Sequence, residues 1–189
     1  MQRTDFRSMP CSIARTLAVV GEAWTPLVLR DVMFGLTRFD EIQRDLGIAT
    51  NVLTDRLNTL VDAGLLTRTP YQVKPLRHRY QLTESGADLL PVLLAMIRWG
   101  DRWADDGQGP PVTIVHRECG QATEPLTVCG VCKRPLGTHE VAARGGPGAR
   151  KGPGAYLLPG WLSAPGRPEA RRTAPPPRIT SAGRFLPTE

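Results

Sequence analysis

Residues 37–64 constrain the fold more than any other stretch of this chain. Phe39, Ile42 and Leu46 recur at the spacing of one helix face, and Gly47 ends that helix. A second helix follows after a short turn, and its apolar stripe consists of Val52, Leu53, Leu57, Leu60 and Val61. Two short helices joined by a tight turn that contains glycine predict a helix-turn-helix.

Two further helices are predicted before this motif. CSIARTLAVVGE places Ile13, Leu17 and Val20 on one face, and WTPLVLRDVMFG tolerates proline in its first turn and ends at Gly35. Thr37, with acidic residues three and four positions later, is expected to open the third helix in a capping-box arrangement.

The residues after the motif change their periodicity. Residues 65–83 contain short β-prone runs around Leu66, Tyr80 and Leu82, with a polar loop that contains proline between them, as in a hairpin. Residues 64–83 also carry four basic side chains and no acidic one. A basic hairpin directly after a helix-turn-helix is typical of a wing that contacts DNA.

Thr83 is expected to cap one long helix, ESGADLLPVLLAMIRWGDRW, which is apolar around most of its circumference. Such a helix needs burial on two sides, and a second copy of the chain is the simplest cover for one of them. The predicted fold is mainly α with a small β-hairpin (α+β), a winged helix-turn-helix.

These segments, in this order and at these spacings, resemble the HxlR-type winged-helix transcriptional regulators, relatives of the MarR-like repressors. The resemblance covers residues 8–105: a cysteine near the N-terminus, then WTPLVLRDVMFGLTRFDEIQRDLGIATNVLTDRLNTLVDAGLL, then RYQLTESGADLLPVL. It implies a transcriptional regulator that acts as a homodimer through the first and last helices of the domain, with repression as the expected direction of control. Many members have serine where Ala49 stands and a basic residue near Asn51, so Thr50 is expected to take over the helix cap here.

A recognition helix in the major groove brings its N-terminal residues nearest the base edges. Thr50, Asn51 and Thr54 are therefore expected to contact bases, with the Asn51 amide suited to adenine. Arg56 is expected to hold a phosphate or to pair with Asp55 or Asp62. The remaining predicted contacts to double-stranded DNA are Arg38, Lys74, Arg77 and Arg79. A two-fold dimer predicts a pseudo-palindromic operator.

The net charge of +6 does not belong to this domain. Residues 1–141 hold 16 basic and 16 acidic residues, whereas residues 142–189 hold eight basic and two acidic ones. Glycine and proline make up 17 of those last 48 residues, without a repeat. The composition predicts a disordered basic tail.

His116, Cys119, Cys129 and Cys132 follow the pattern H-x2-C-x9-C-x2-C. Two donor pairs at this spacing predict a structural Zn²⁺ site in a zinc-ribbon-like extension over residues 112–141, with His139 as a weaker substitute for the first ligand. Scattered reduced thiols are the alternative, and a disulfide is disfavoured if the chain is cytoplasmic.

Three other functions are weighed. Cys11 begins the first helix, where thiol-sensing members of the family carry their reactive cysteine, so a thiol- or metal-responsive regulator that uses Cys11 or the Cys-rich extension is the main alternative. A winged helix used mainly for protein contacts is another. An enzyme is not expected, because no phosphate loop, nucleophile elbow or dinucleotide fingerprint is present.

No run of about 18 apolar residues suggests a membrane span, and the N-terminus lacks the apolar core of a signal peptide, so a cytoplasmic location is expected.

Overall fold

The structure is a computed structural model that describes residues 5–137 and 139–157. The chain divides into two compact units, which are described separately. The described residues of the first unit are 5–90 and 145–157, and those of the second are 91–137 and 139–144. No helix within the described ranges is long and apolar enough to cross a bilayer.

After a short 3-10 helix (Phe6–Ser8), the first unit has four α-helices at the places where the sequence predicts them. They are α1 (Ser12–Val20), α2 (Trp24–Phe34), α3 (Phe39–Leu46) and α4 (Thr50–Asp62). Gly35 and Gly47 end α2 and α3 with φ angles of 105° and 60°, a left-handed backbone conformation that residues other than glycine rarely adopt. The helix-turn-helix of α3 and α4 is therefore confirmed.

The core of the first unit lies where α2, α3 and α4 face the start of the hairpin. Each large apolar side chain buried there contributes about 1.5–3 kcal/mol relative to an exposed one. The fully buried apolar residues are Val28, Leu29, Ile42, Leu53, Leu57, Leu60 and Leu66. This packing fixes one face of α4 against the domain and leaves the other face in solvent.

The predicted hairpin is confirmed, and it is tied to the helix-turn-helix. β1 (Leu66–Val73) pairs antiparallel with β2 (Leu76–Leu82), with Leu66 opposite Leu82 and a bulge near Tyr71. The backbone N–H of Tyr80 donates to the carbonyl of Thr37 at 2.7 Å, so the two residues before α3 pair with the backbone of β2 at the edge of the hairpin.

Two expected helix starts are wrong. Thr37 does not cap α3, because its backbone pairs with β2 and the helix begins at Phe39. The Glu41 carboxylate instead accepts hydrogen bonds from the backbone N–H groups of Thr37 and Arg38, at 3.2 and 3.0 Å. Thr50 does not cap α4 either. Ala49 occupies that position without a side-chain hydrogen bond, and Thr50 is the first residue of the helix.

The single helix expected after Thr83 is two helices, α5 (Glu84–Ala87) and α6 (Leu90–Trp103). Thr83 caps the first of them by accepting from the backbone N–H of Gly86 at 3.1 Å. The break precedes Pro91, which has no N–H to donate and whose ring would clash with the carbonyl four residues earlier. Proline is tolerated in the first turn of α6, because the N–H groups of that turn have no acceptor within the helix.

The second unit consists of α6 and an extension without further helices or regular strands in its described residues. Arg98 of α6 pairs with Glu124 of the extension at 2.5 Å. The described residues 145–157 of the first unit are also irregular, yet Ala155 is buried and Gly154 lies against Met9. The rest of the predicted disordered tail, residues 158–189, lies outside the described residues.

Candidate nucleic-acid interface

The predicted base-reading residues lie together on the solvent face of α4. Thr50, Asn51 and Thr54 are all exposed, while Leu53 and Leu57 on the opposite face are completely buried. Because the buried face fixes the rotation of the helix about its axis, the exposed face is fixed as well. The first turn of α4 therefore presents a rigid polar surface.

Hydrogen bonds within the domain orient part of this surface. Gln43 of α3 donates from Nε2 to the Thr50 hydroxyl at 2.8 Å, and the Thr54 hydroxyl donates to the Thr50 carbonyl at 2.7 Å. The Asn51 amide has no hydrogen bond to any described residue, so its donor and acceptor are both available to a base. Gln43 was missed by the sequence reasoning, and no periodic signal marks it.

The wing carries positive charge that no acidic side chain of the described residues neutralises. Lys74 and Arg77 are exposed at and beside the hairpin turn, and Arg79 is exposed with its guanidinium 5.5 Å from the centre of the Tyr71 ring. Tyr80 is buried and His78 is half-buried, which confirms that alternation turns Arg77 and Arg79 outward.

Arg68 connects the wing to α4 and was not among the predicted site residues. Its Nη1 donates to the side-chain oxygen of Asn58 at 3.3 Å. The basic run of the wing includes Arg68, but its orientation toward α4 depends on the pairing of the strands. This hydrogen bond joins a side chain of the wing to a side chain of α4.

Arg38 lies at the start of α3 and is already paired. Its guanidinium is 2.7 Å from Glu41 and 3.9 Å from Asp40. The hydrogen bond from the backbone N–H of Arg38 is the main reason why the pKa of Glu41 is lowered from its ordinary value. A contact from Arg38 to a phosphate stays a prediction, and it would have to share the guanidinium with these carboxylates.

Arg56 does not pair with Asp55 or Asp62 as expected. Its guanidinium instead points toward Glu22, with Nη1 3.7 Å from the carboxylate, and its buried Nε has no hydrogen-bond partner among the described residues. Glu22 also accepts from the backbone N–H of Trp24 at the start of α2. Arg56 therefore connects α4 to α2, and its phosphate contact stays a prediction.

A second ionic contact inside the domain was not predicted from the sequence. Arg30 of α2 donates to Asp31 at 2.6 Å and to Asp45 of α3 at 2.9 Å. Asp31 is almost completely buried, and burial raises the pKa of its carboxyl although Arg30 opposes that shift. This cluster fixes α3 on α2, and thereby the turn that leads into α4.

The four predicted metal ligands lie in the second unit as two separate pairs. Nδ1 of His116 is 3.3 Å from the sulfur of Cys119, and Cys129 and Cys132 form the other pair. Within the described residues no three candidate ligand side chains converge on one point. Cys11 is half-buried at the N-cap of α1 and is a free thiol, as are the other three cysteines.

The chain matches the HxlR-like helix-turn-helix family over residues 19–108. It is 40% identical over 137 residues to a protein of Mycobacterium tuberculosis described as an uncharacterized HTH-type transcriptional regulator, a match that covers 72% of this chain and 87% of the relative. Residues 1–108 are too few to contain a match of 137 residues, so the similarity to this relative extends into the Cys-rich extension.

Two solved structures are similar in both sequence and fold. The crystal structure of PA1607, described as a transcription factor, is 34% identical with a TM-score of 0.67, and the match covers 74% of this chain and 98% of that one. A transcription factor of Pseudomonas aeruginosa, PA1374, is 43% identical with a TM-score of 0.53, covering 75% and 96%.

Proposed function

The chain belongs to the HxlR-like helix-turn-helix family of transcriptional regulators, and on that premise we propose that it is a repressor that binds a pseudo-palindromic operator as a homodimer. One observation carries the proposal: the exposed polar first turn of α4 lies in the same unit as a wing whose basic side chains have no acidic partner among the described residues.

The first turn of α4 and the wing are proposed to have different roles in binding DNA, because their side chains differ in chemistry. Asn51 reads an adenine by donating and accepting one hydrogen bond, and Thr50 and Thr54 contact neighbouring base edges or thymine methyl groups. Lys74, Arg77 and the other exposed wing cations hold phosphates, which supplies affinity without sequence preference.

Exposed apolar residues on α1 and α6 support the homodimer. On α1, Ile13 is 71% exposed and Leu17 is 47% exposed. No residue of α6 is buried within the described chain, and Met96 and Trp99 are both more than half exposed. Apolar surface of this kind marks a protein interface, and a second copy of the chain is the proposed cover.

Repression is proposed because a dimer bound across a promoter excludes RNA polymerase from it. Two recognition helices related by a two-fold axis would occupy half-sites about one or two helical turns apart. Genome-wide pull-down of DNA with the tagged protein identifies the operator. Transcripts from the bound promoters are expected to rise when the protein is deleted, and a fall would indicate an activator.

The salt dependence of operator affinity tests the DNA contacts. Replacing Arg77→Ala is expected to weaken binding to operator and random DNA alike and to lower the slope of log affinity against log salt by about one. The exposed Arg144, outside the wing, provides the matched Arg144→Ala control, which is expected to change the slope less. An unchanged slope for Arg77→Ala, or no preference of the wild type for operator over random DNA, would contradict the proposal.

A further inference from the structure

The Cys-rich extension contains the same small hairpin twice, 13 residues apart. In the first hairpin, the backbone N–H of His116 donates to Gln121, that of Gly120 to His116, and that of Thr123 to Ile114. In the second hairpin, the backbone N–H of Cys129 donates to the carbonyl of Arg134, that of Lys133 to Cys129, and that of Leu136 to Thr127. The bridges Val115–Ala122 and Val128–Pro135 repeat with the same offset.

Backbone conformation repeats with the hydrogen bonds. Gly120 has a φ of 68° and the equivalent Lys133 has a φ of 61°. Lys133 is the one residue other than glycine with a positive φ among residues 5–137 and 139–157. A lysine adopts this unfavourable conformation only where its surroundings demand it. The second hairpin thus keeps the turn of the first although its sequence lacks the glycine.

Each hairpin places one pair of metal-ligand side chains at equivalent positions. His116 corresponds to Cys129 and Cys119 corresponds to Cys132 under the same offset. Nδ1 of His116 lies 3.3 Å from Sγ of Cys119. Two ligands of a tetrahedral Zn²⁺, with Zn–S near 2.3 Å and Zn–N near 2.05 Å, lie about 3.5 Å apart. The first pair is therefore already near ligand spacing.

The second pair lies beside basic residues, because Lys133 and Arg134 follow Cys132 directly in the chain. A metal takes the thiolate form of cysteine as its ligand. Lys133 and Arg134 also offset the negative charge that three thiolates leave on a divalent ion.

Burial does not hold the extension together. None of the described residues 104–137 and 139–144 is buried, and Val131 is 92% exposed. A segment this small without a core usually needs a metal or a disulfide for a fixed fold. Its three cysteines are free thiols, and three residues join Thr123 to Thr127, a span of at most about 14 Å.

We propose that His116, Cys119, Cys129 and Cys132 bind one Zn²⁺ tetrahedrally and that the ion closes the two hairpins on each other. Three thiolates and one imidazole fill all four positions, so the site is structural. Because the two pairs are separate in the structure, closure requires a movement of one hairpin toward the other. The inference does not rest on the proposed function, since zinc is measured without DNA.

Zinc content of the full chain, purified without oxygen and with a reductant, tests the site. The wild type is expected to hold about one zinc per chain, and the double variant Cys119→Ser plus Cys132→Ser is expected to hold less than about a tenth of that. Cys11→Ser is the matched control for the cysteines and is expected to keep its zinc. Wild type without zinc, or a double variant that keeps it, would overturn the proposal.

The histidine ligand has its own matched control in the extension. His116→Ala is expected to lower zinc affinity, whereas His139→Ala is expected to leave it unchanged. The opposite result would overturn the ligand set. Co²⁺ in place of zinc is expected to show the visible absorption of a tetrahedral site and a thiolate-to-metal band in the near ultraviolet, and the spectrum of an octahedral ion would contradict the geometry. Circular dichroism of each variant shows whether the helices of the first unit are retained.

Discussion

Asn51 and Asn58 lie on α4 two turns apart, and both side chains are exposed. They differ in their partners: Asn58 accepts a hydrogen bond from Arg68 of the wing, whereas the Asn51 amide has no partner among the described residues. Since the first turn of a recognition helix lies nearest the bases, Asn51 is the residue we propose to read sequence, whereas Asn58 contacts the wing.

Replacing Asn51→Ala is expected to weaken operator binding by about 5- to 150-fold, the equivalent of about 1–3 kcal/mol, and to relax the preference for adenine at one operator position. Asn58→Ala, on the same helix, is the matched control, and we expect it to weaken binding without changing that preference. Competition between operator variants in a gel-shift assay measures both effects. Equal loss of base preference in the two variants would show that Asn51 does not read the adenine.

At the scale of elements, α5 is positioned by a close backbone approach. The Gly86 backbone N–H donates to the Thr83 hydroxyl, which itself donates to the carbonyl of Gly64 at 2.6 Å. A Cβ on Gly86 would collide with the carbonyl oxygen of Leu65. Two backbone segments, residues 64–65 and 83–86, thus meet at the point where the wing ends, and only glycine fits at position 86.

Replacing Gly86→Ala is expected to lower the free energy of unfolding by about 1–3 kcal/mol, because a methyl group must displace backbone. Gly100→Ala is the control within α6, since nothing lies within 4 Å of the added Cβ. Alanine there is expected to leave stability unchanged or raise it by up to about 1 kcal/mol. Urea denaturation measures both variants, and similar effects in the two would mean that the close approach is absent.

The start of α3 depends on the charge of Glu41. Its carboxylate accepts from the backbone N–H groups of Thr37 and Arg38, and its pKa is lowered from the ordinary 4.5, first by the hydrogen bond from Arg38. A lowered pKa in the folded state means that the stabilisation is fully present above the ordinary value. It is lost as the pH falls through the lowered pKa.

We therefore expect Glu41→Gln to lower the melting temperature most at neutral pH. The difference from wild type should shrink as the pH falls from the ordinary carboxyl value of 4.5 through the lowered pKa of Glu41, because the carboxyl is then protonated and both side chains are neutral. Glu118→Gln, at an exposed glutamate of the extension, serves as the control. A difference between Glu41→Gln and wild type that stays constant with pH would remove the charge as its cause.

At the scale of the whole molecule, the exposed apolar residues of α1 and α6 predict assembly. Ile13→Glu and Met96→Glu change side chains that are 71% and 54% exposed, so the fold of the single chain is expected to survive. Each change is expected to convert dimer to monomer. Operator affinity should fall by about a hundredfold or more, because the two half-sites are then bound independently.

Light scattering after gel filtration measures the assembly, and circular dichroism checks the fold. Val131→Glu is the control, because Val131 is 92% exposed and lies outside both helices. A monomeric wild type, or dimers that persist in both α1 and α6 variants, would contradict the proposed interface.

Local signals in the sequence were enough to predict the helix-turn-helix and the wing. Apolar residues at helical spacing identify the buried faces of α3 and α4, and Gly35 and Gly47 mark the ends of α2 and α3 because only glycine adopts positive φ there at little cost. The exposure of Thr50, Asn51 and Thr54 followed from the same periodicity. These features depend on residues a few positions apart, so the order of the residues determines them.

Packing between distant elements selects the partners of the charged residues and of the residues in turns. Arg56 has acidic neighbours along its own helix, yet it faces Glu22 because packing places α2 beside it. Thr37 pairs with β2 instead of capping α3, because the backbone N–H of Tyr80, 43 positions later in the sequence, donates a hydrogen bond to its carbonyl.

The repeated hairpin of the extension is hidden from sequence comparison for a related reason. IVHRECGQAT and TVCGVCKRPL share only Val and Cys at two equivalent positions. Their common backbone hydrogen bonds become visible only in the fold. Local periodicity in the sequence therefore specifies the elements and their buried faces. Contacts between distant residues, which periodicity does not encode, were decided by the packing of those elements.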